Sequence, residues 1–173
     1  MTPGGIRDRF RAQMRQEVKD AALRQLAEGG PQALSINAIA KELGVSGPAL
    51  YRYFAGRDAL LTELILDAYT DLTTAISAAS RRLPELAAAY RTWAAVHPHR
   101  YRLLFGAPLP GYDAHDERLD DALQRMLTVL GAVAVWSRLH GFVSLEIEGN
   151  FTSMGVDPDG LFAAEVEALS SAR

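Results

Sequence analysis

The chain has 173 residues, 49% of them apolar and 23% charged, a composition that supports a globular fold with a real hydrophobic core. It contains no cysteine, which excludes disulfides, thiolate metal sites and cysteine nucleophiles. No run of about 18 uninterrupted apolar residues occurs, and Met1-Thr2-Pro3-Gly4-Gly5 lacks an apolar signal region, so neither a membrane span nor a secretory signal is expected and a cytoplasmic location is. The net charge is −3, but it is unevenly spread: Met1–Leu60 carries nine basic and six acidic residues, and the remainder nine against fifteen. The basic excess sits at the start of the chain, where a nucleic-acid-facing module would gain from phosphate attraction.

The dominant period is helical. Phe10, Met14, Val18, Ala22 and Leu26 recur every four residues, marking one apolar stripe on a first helix. Glu28-Gly29-Gly30-Pro31 ends it, because glycine suits the C-terminus of a helix and proline cannot continue one. Ser35 is placed as an N-cap for a second, short helix carrying Ile36, Ile39, Ala40 and Leu43. Gly44-Val45-Ser46 forms a tight turn. Ser46 then caps a third short helix with Pro48 in its first turn, where a missing N–H is tolerated, and this helix is expected to end near Tyr53-Phe54. After Ala55-Gly56 a long helix runs from about Arg57 to Ala79, with Leu60, Leu61, Leu64, Ile65, Ala68, Leu72 and Ile76 on one side.

The second half is also helical. Helices are expected over Pro84–Ala95, Arg100–Phe105, Asp116–Ala132, Val133–Gly149 and from Asp157-Pro158-Asp159 to about Ser170, with Gly106–Gly111 as a loop. No strand alternation or repeat appears. The fold expected is all-α, about nine helices, with a three-helix head over 1–56 and a larger helical body over 57–173.

Ser35–Phe54 has the build of a helix-turn-helix: two short helices meeting through a three- to four-residue turn that contains glycine. Ile39, Ala40, Leu43, Val45, Leu50 and Phe54 are placed to bury the contact between them. The second helix offers Ser46, Gly47, Pro48, Ala49, Tyr51 and Arg52 outward, as a recognition helix does in the major groove.

The stretch Leu34-Ser35-Ile36-Asn37-Ala38-Ile39-Ala40-Lys41-Glu42-Leu43-Gly44-Val45-Ser46, then Leu50-Tyr51-Arg52-Tyr53-Phe54, then Arg57-Asp58-Ala59-Leu60-Leu61 strongly resembles the tetracycline-repressor (TetR) family of regulators. The second half is similar to one C-terminal class of that family through His97-Pro98-His99-Arg100-Tyr101-Arg102-Leu103-Leu104-Phe105 and Trp136-Ser137-Arg138-Leu139-His140-Gly141. Arg57 stands where the family often has lysine, which keeps the charge, and the chain is short for the family. The resemblance implies a homodimeric, ligand-responsive repressor that binds a near-palindromic double-stranded DNA operator and is not an enzyme. It further implies that Tyr51, Arg57 and Ser35 meet phosphates while Asn37, Gly47, Pro48 and Ala49 face the bases. Of these, Asn37 alone has a strong hydrogen-bonding head, which pairs naturally with adenine. Arg52 is a phosphate contact or a solvated side chain, Tyr53 a DNA contact or half-buried packing, and the arm with Arg7, Arg9, Arg11 and Arg15 a DNA contact or a solvated one.

The body carries the aromatics Tyr69, Tyr90, Trp93, Tyr101, Phe105, Trp136 and Phe142. Core residues and the walls of apolar pockets are drawn from the same types. Tyr69, Tyr90, Trp93, Tyr101, Phe105 and Met126 are the candidate lining of a small-molecule effector site, with Gly106–Gly111 as an entry lid. His97, His99, His115 and His140 form no metal signature, and His140 reads as a hydrogen-bonded buried histidine. No cofactor is implied. Glu146 and Glu148 point apart on a helix, and neither a phosphate loop nor a GxSxG motif is present, so no catalytic constellation exists. The dimer is expected through the last two long helices, with Val135, Leu139, Phe142, Val143 and Ile147 on one and Leu161, Phe162, Val166 and Leu169 on the other.

Overall fold

Every regular element in the computed structural model, which describes residues 5–106, 111–113 and 115–171, is helical. The order is α1 (Ile6–Gly29), a 3₁₀ turn (Pro31–Ala33), α2 (Ile36–Glu42), α3 (Gly47–Leu50), α4 (Arg57–Ala78), α5 (Leu83–Val96), α6 (Pro98–Phe105), α7 (Glu117–Leu130), α8 (Val133–Ile147), α9 (Asn150–Met154) and α10 (Pro158–Ser171). Among the described residues no single helix is long and apolar enough to cross a membrane. The chain separates into two compact units, one formed by the described residues of Met1–Ile65 and Gly106–His115, the other by those of Leu66–Phe105 and Asp116–Arg173.

The first unit is built on α1. Val18, Ala21, Ala22 and Leu26 bury one face of that helix, and Leu34, Ile36, Ile39, Ala40, Leu50, Phe54, Leu60 and Leu61 complete the core. Burying each valine, leucine, isoleucine or phenylalanine here stabilises the unit by about 1.5–3 kcal/mol before conformational entropy is charged against it. Arg15 fastens α1 to the end of the helix-turn-helix. Its guanidinium donates to the Tyr53 carbonyl, pairs with Glu63 at 3.3 Å and lies 4.4 Å above the Phe54 ring. A hydroxyl–hydroxyl bond of 2.8 Å joins Thr62 of α4 to Tyr112.

The second unit packs α5 against α8 and α10, and α7 against α8. Tyr90, Ala94, Met126, Leu130 and Leu139 are fully buried at its centre. Arg91 of α5 ties the three packed helices together. Its Nε donates to Glu146 Oε2 on α8 at 2.8 Å, another of its nitrogens lies 2.7 Å from Asp159 on α10, and its guanidinium sits 4.8 Å over the Phe162 ring. Glu148 is likewise spent on Arg102, at 2.7 Å.

The expected helices are present with ends shifted by one to three residues, as fraying predicts. Four findings depart from expectation. The apolar stripe of α1 outruns the core: Phe10 is 59% exposed, because no described residue covers the first two turns of α1. The third helix ends at Leu50 rather than near Phe54. Tyr51–Tyr53 continue as a turn closed by Tyr53 N–H to the Leu50 carbonyl at 2.8 Å. A short helix, α9, fills the gap between α8 and α10 and buries Phe151 against Phe142, with ring centroids 4.8 Å apart. Lastly, most of the side chains expected at a dimer seam are used inside the chain: Val135, Leu139, Phe142, Val143, Phe162, Val166 and Leu169 are buried, since α8 and α10 use them to cover α5 and each other, while Ile147 is half-buried and Leu161 exposed.

Candidate nucleic-acid interface

The helix-turn-helix is shaped by local chemistry. Ser35 has the extended backbone of an N-cap, and its hydroxyl accepts from the Ala38 N–H at 3.3 Å, satisfying one of the free donors of α2. The Ser35 N–H itself donates to Gln25 Oε1 at 2.9 Å, which fixes the entry to α2 against α1. Gly44 takes φ of +66°, a left-handed conformation that side chains disfavour. That turn lets the Val45 N–H return to the Ala40 carbonyl at 3.0 Å and redirects the chain into α3. Ser46 stands at the N-cap of α3 with extended backbone, but its hydroxyl makes no capping bond. The Ala49 N–H bonds its carbonyl at 2.9 Å instead, because Pro48 has no N–H to offer in the first turn.

These constraints leave a polar face outward. Asn37, Ser46, Pro48, Tyr51 and Arg52 are exposed, Gly47, Ala49 and Tyr53 are half-buried, and Leu50 and Phe54 anchor the face from below. Asn37 and Gly47 converge: a Cβ built on Gly47 would lie 3.3 Å from Asn37 Oδ1, so glycine gives the Asn37 amide room at the start of α3. Tyr51 is 53% exposed, an unusual position for a large ring with only one polar atom. Arg57 opens α4, 3.5 Å from Asp58, beside a recess of about 400 Å3 formed by residues 55–59.

The six residues read as an effector lining all belong to the second unit. Tyr69, Tyr90, Trp93, Tyr101 and Met126 are buried and Phe105 is half-buried. Phe105 lies edge-on to Tyr69 and Tyr101 at 6.1 and 5.1 Å, and Tyr90 edge-on to Tyr101 at 6.1 Å. Two residues outside the nominated six complete the cluster: Trp136 and His140 stack at 5.4 Å, and His140 lies 5.2 Å from Phe105. The polar tips are used unequally. Trp93 donates its indole N–H to Asp71 at 3.1 Å, and Arg100 pairs with the same carboxylate at 2.7 Å. The Tyr101 hydroxyl and His140 Nδ1 are 2.6 Å apart. The Tyr90 hydroxyl and the Trp136 indole N–H are buried near each other without a hydrogen bond of acceptable geometry. Burial pushes the Tyr69 and Tyr101 phenols up to about 12 and that of Tyr90 higher, and holds the His140 imidazole below its usual range. Burial thus favours the neutral forms of these phenols and of the His140 imidazole. Residues 107–110 of the nominated lid lie outside the described residues. Among the described residues no group of three His, Asp or Glu could hold a metal.

Comparison with known proteins agrees with this architecture. Residues 19–64 match the model for bacterial regulatory proteins of the tetR family, and residues 83–169 match a tetracyclin repressor-like C-terminal domain. The HTH-type transcriptional regulator Rv1816 of Mycobacterium tuberculosis is 37% identical over 132 residues, covering 71% of this chain and 56% of the relative, so the chain spans little more than half of that protein. An uncharacterized HTH-type transcriptional regulator of the same organism, Rv0681, is 30% identical over 176 residues, covering 91% of this chain and 80% of the relative. Among solved structures, the regulatory protein SCO4313 superposes with a TM-score of 0.89 at 41% identity, covering 97% of this chain and 98% of that one. With both parts of the chain matched in order, by family model and by overall fold, the chain belongs to the TetR family of transcriptional regulators, a family of DNA-binding regulators and not of enzymes.

Proposed function

We propose that the protein is a cytoplasmic, ligand-responsive repressor that binds a near-palindromic operator as a homodimer. The observation that carries the DNA-binding part is the outward face of α2 and α3, where Asn37, Gly47, Pro48 and Ala49 stand together with Tyr51, Arg52 and Arg57 around them. In this reading Asn37 reads a base edge, and Pro48 and Ala49 touch thymine methyl groups. Tyr51, Arg52 and Arg57 hold phosphates. Ser35 acts twice: its oxygen accepts the capping bond from the Ala38 N–H, and its O–H can still donate to a phosphate.

The homodimer is proposed through the faces of α8 and α10 that the chain leaves uncovered. Ala134, Ser137, Gly141 and Leu145 on α8, and Leu161, Ala164 and Ala168 on α10, are exposed at helical spacing. Leu145 and Leu161 are 48% and 42% exposed, and a Cβ added at Gly141 would meet nothing within 4 Å beyond its own helical turn among the described residues. Small residues at this period allow helices of a second copy to approach closely, and a two-fold dimer sets its recognition elements about 34–36 Å apart, which makes the operator a near-palindrome. The effector is proposed at the aromatic cluster of the second unit. It would be neutral and flat, with an acceptor atom for the unspent Tyr90 and Trp136 donors. Binding there with different affinity in the DNA-bound and free states changes DNA affinity by the same factor that DNA changes ligand affinity.

Selection of bound sequences from random duplex DNA with the purified chain tests the reading. An inverted repeat with half-sites about one helical turn apart is the expected product. Recovery of no enriched sequence would overturn it.

A further inference from the structure

The first two turns of α1 remain unexplained by the fold. Ile6 and Phe10 are 78% and 59% exposed, although side chains of this kind are normally drawn into a core. Arg11 and Arg7 lie one and two turns before Arg15 on the same side of the helix, since positions four apart share a face. Arg15 is spent on the Tyr53 carbonyl, Glu63 and the Phe54 ring. Because it grips the residues just after α3, it aligns the earlier turns of α1 beside the exit of the helix-turn-helix. There Ile6, Arg7, Phe10 and Arg11 form a groove of about 450 Å3 with Arg52 and Tyr53. No acidic residue lines it. Asp8, the only carboxylate in these turns, is turned back to the Gly5 N–H at 3.2 Å. Among the described residues, Arg7, Arg9, Arg11 and Arg52 make no side-chain hydrogen bond or ion pair, whereas Arg15, Arg24 and Arg57 do, and of the four only Arg9 lies outside the groove.

We infer that this groove is a second DNA-contact surface: it seats the sugar-phosphate strand that flanks each recognised half-site. The inference rests on the DNA-binding reading of α2 and α3 and extends it. Three guanidinium groups without counter-ions, on two elements, are complementary to a polyanion and to little else. The groove is continuous with the proposed interface, because Arg52 and Tyr53 directly follow Tyr51 in the chain. The apolar floor of Ile6 and Phe10 suits deoxyribose faces, while the arginine rim takes the phosphate oxygens. The contact carries no base information, so it adds affinity and register rather than specificity.

The test compares the full chain with its R7Q/R11Q double variant on the selected operator. Each duplex is prepared with its flanks and trimmed to the recognised half-sites. Glutamine keeps helix propensity at exposed positions, so far-UV circular dichroism should be unchanged. Each phosphate contact adds about 0.9 to the slope of log affinity against log salt. The double variant removes two such contacts from each protomer and so four from the dimer, and the parent's advantage over it should therefore shrink on the order of 100-fold between roughly 50 and 200 mM salt. The loss should be equal on operator and unrelated DNA. Trimming the flanks should weaken the parent and leave the double variant indifferent. Equal salt slopes and equal responses to trimming would overturn the flank contact while leaving operator binding intact. A parent that binds no duplex would overturn the DNA-binding reading and this inference with it.

Discussion

Replacing Arg15 with methionine isolates the contact that joins α1 to the helix-turn-helix. Methionine keeps an unbranched stem able to pack on Phe54 and removes only the guanidinium. Three interactions go with it. The hydrogen bond from a charged donor to the Tyr53 carbonyl is the largest, on the order of 1.5–3 kcal/mol. The cation–π contact with Phe54, at 4.4 Å, contributes about 0.5–1 kcal/mol. The Glu63 pair adds little, because Lys19 Nζ stands 3.7 Å from the same carboxylate oxygen and remains to compensate it. The terms share one group and do not add, so the expected loss is about 2 kcal/mol. With a urea dependence of about 2 kcal/mol per molar, the midpoint of unfolding, followed by far-UV circular dichroism, should fall by about 1 M. Arg15→Lys is the decisive control. It keeps the charge near Glu63 but has no planar fork to reach the Tyr53 carbonyl and cover Phe54 together, so it should lose more than half as much. An R15K protein as stable as the parent, or an R15M protein within about 0.3 M of it, would refute the assignment.

Tyr51→Phe should weaken binding to all DNA alike by about 1 kcal/mol. Asn37→Ala should cost about 1–3 kcal/mol on the best operator and relax preference at one base pair per half-site, both read by fluorescence anisotropy on operator variants; a base-specific effect of the first or a uniform effect of the second would exchange their roles. Gly141→Arg should convert the dimer to monomers in sedimentation equilibrium without unfolding the chain, because an added Cβ would meet nothing within 4 Å beyond its own helical turn among the described residues; a dimeric G141R protein would move the interface elsewhere. Since burial lowers the His140 pKa in the folded state, the unfolded chain takes up the proton first. Stability should be complete above an unfolded value of about 6.5 and should be lost as pH falls through it toward the folded value. His140→Asn keeps a partner for the Tyr101 hydroxyl and should show a smaller loss between about pH 7.5 and 5.5; equal losses in the two proteins would disprove the role of His140.

The helix-turn-helix was legible in the chain because its determinants are local. Ser35 caps within three residues, Gly44 turns the chain by itself, and Pro48 sets the first turn of α3. A core of Ile36, Ile39, Ala40 and Leu50 follows from helical period alone. The long helices α4, α5, α7 and α8 were legible for the same reason. Which side of an element meets which neighbour was not. In α8 apolar and small residues occupy every side, so periodicity could not tell the face that covers α5 from the face left open. Tertiary packing decided that Leu139 and Phe142 lie inside while Gly141 and Leu145 lie outside. The five residues of α9 have no period long enough to read, and their place is set by Phe151 docking on Phe142. Phe10 fits the α1 stripe in sequence, yet the core ends at Val18, since nothing in a repeat states how far its partner extends. Pairings between charges distant in the chain, such as Arg15 with Glu63 and Arg91 with Glu146 and Asp159, depend on how helices are brought together. For that reason the sequence marked Arg7, Arg9, Arg11 and Arg15 only as a basic run, and it was the tertiary structure that separated Arg15, spent on packing, from Arg7 and Arg11, which line a groove with Arg52.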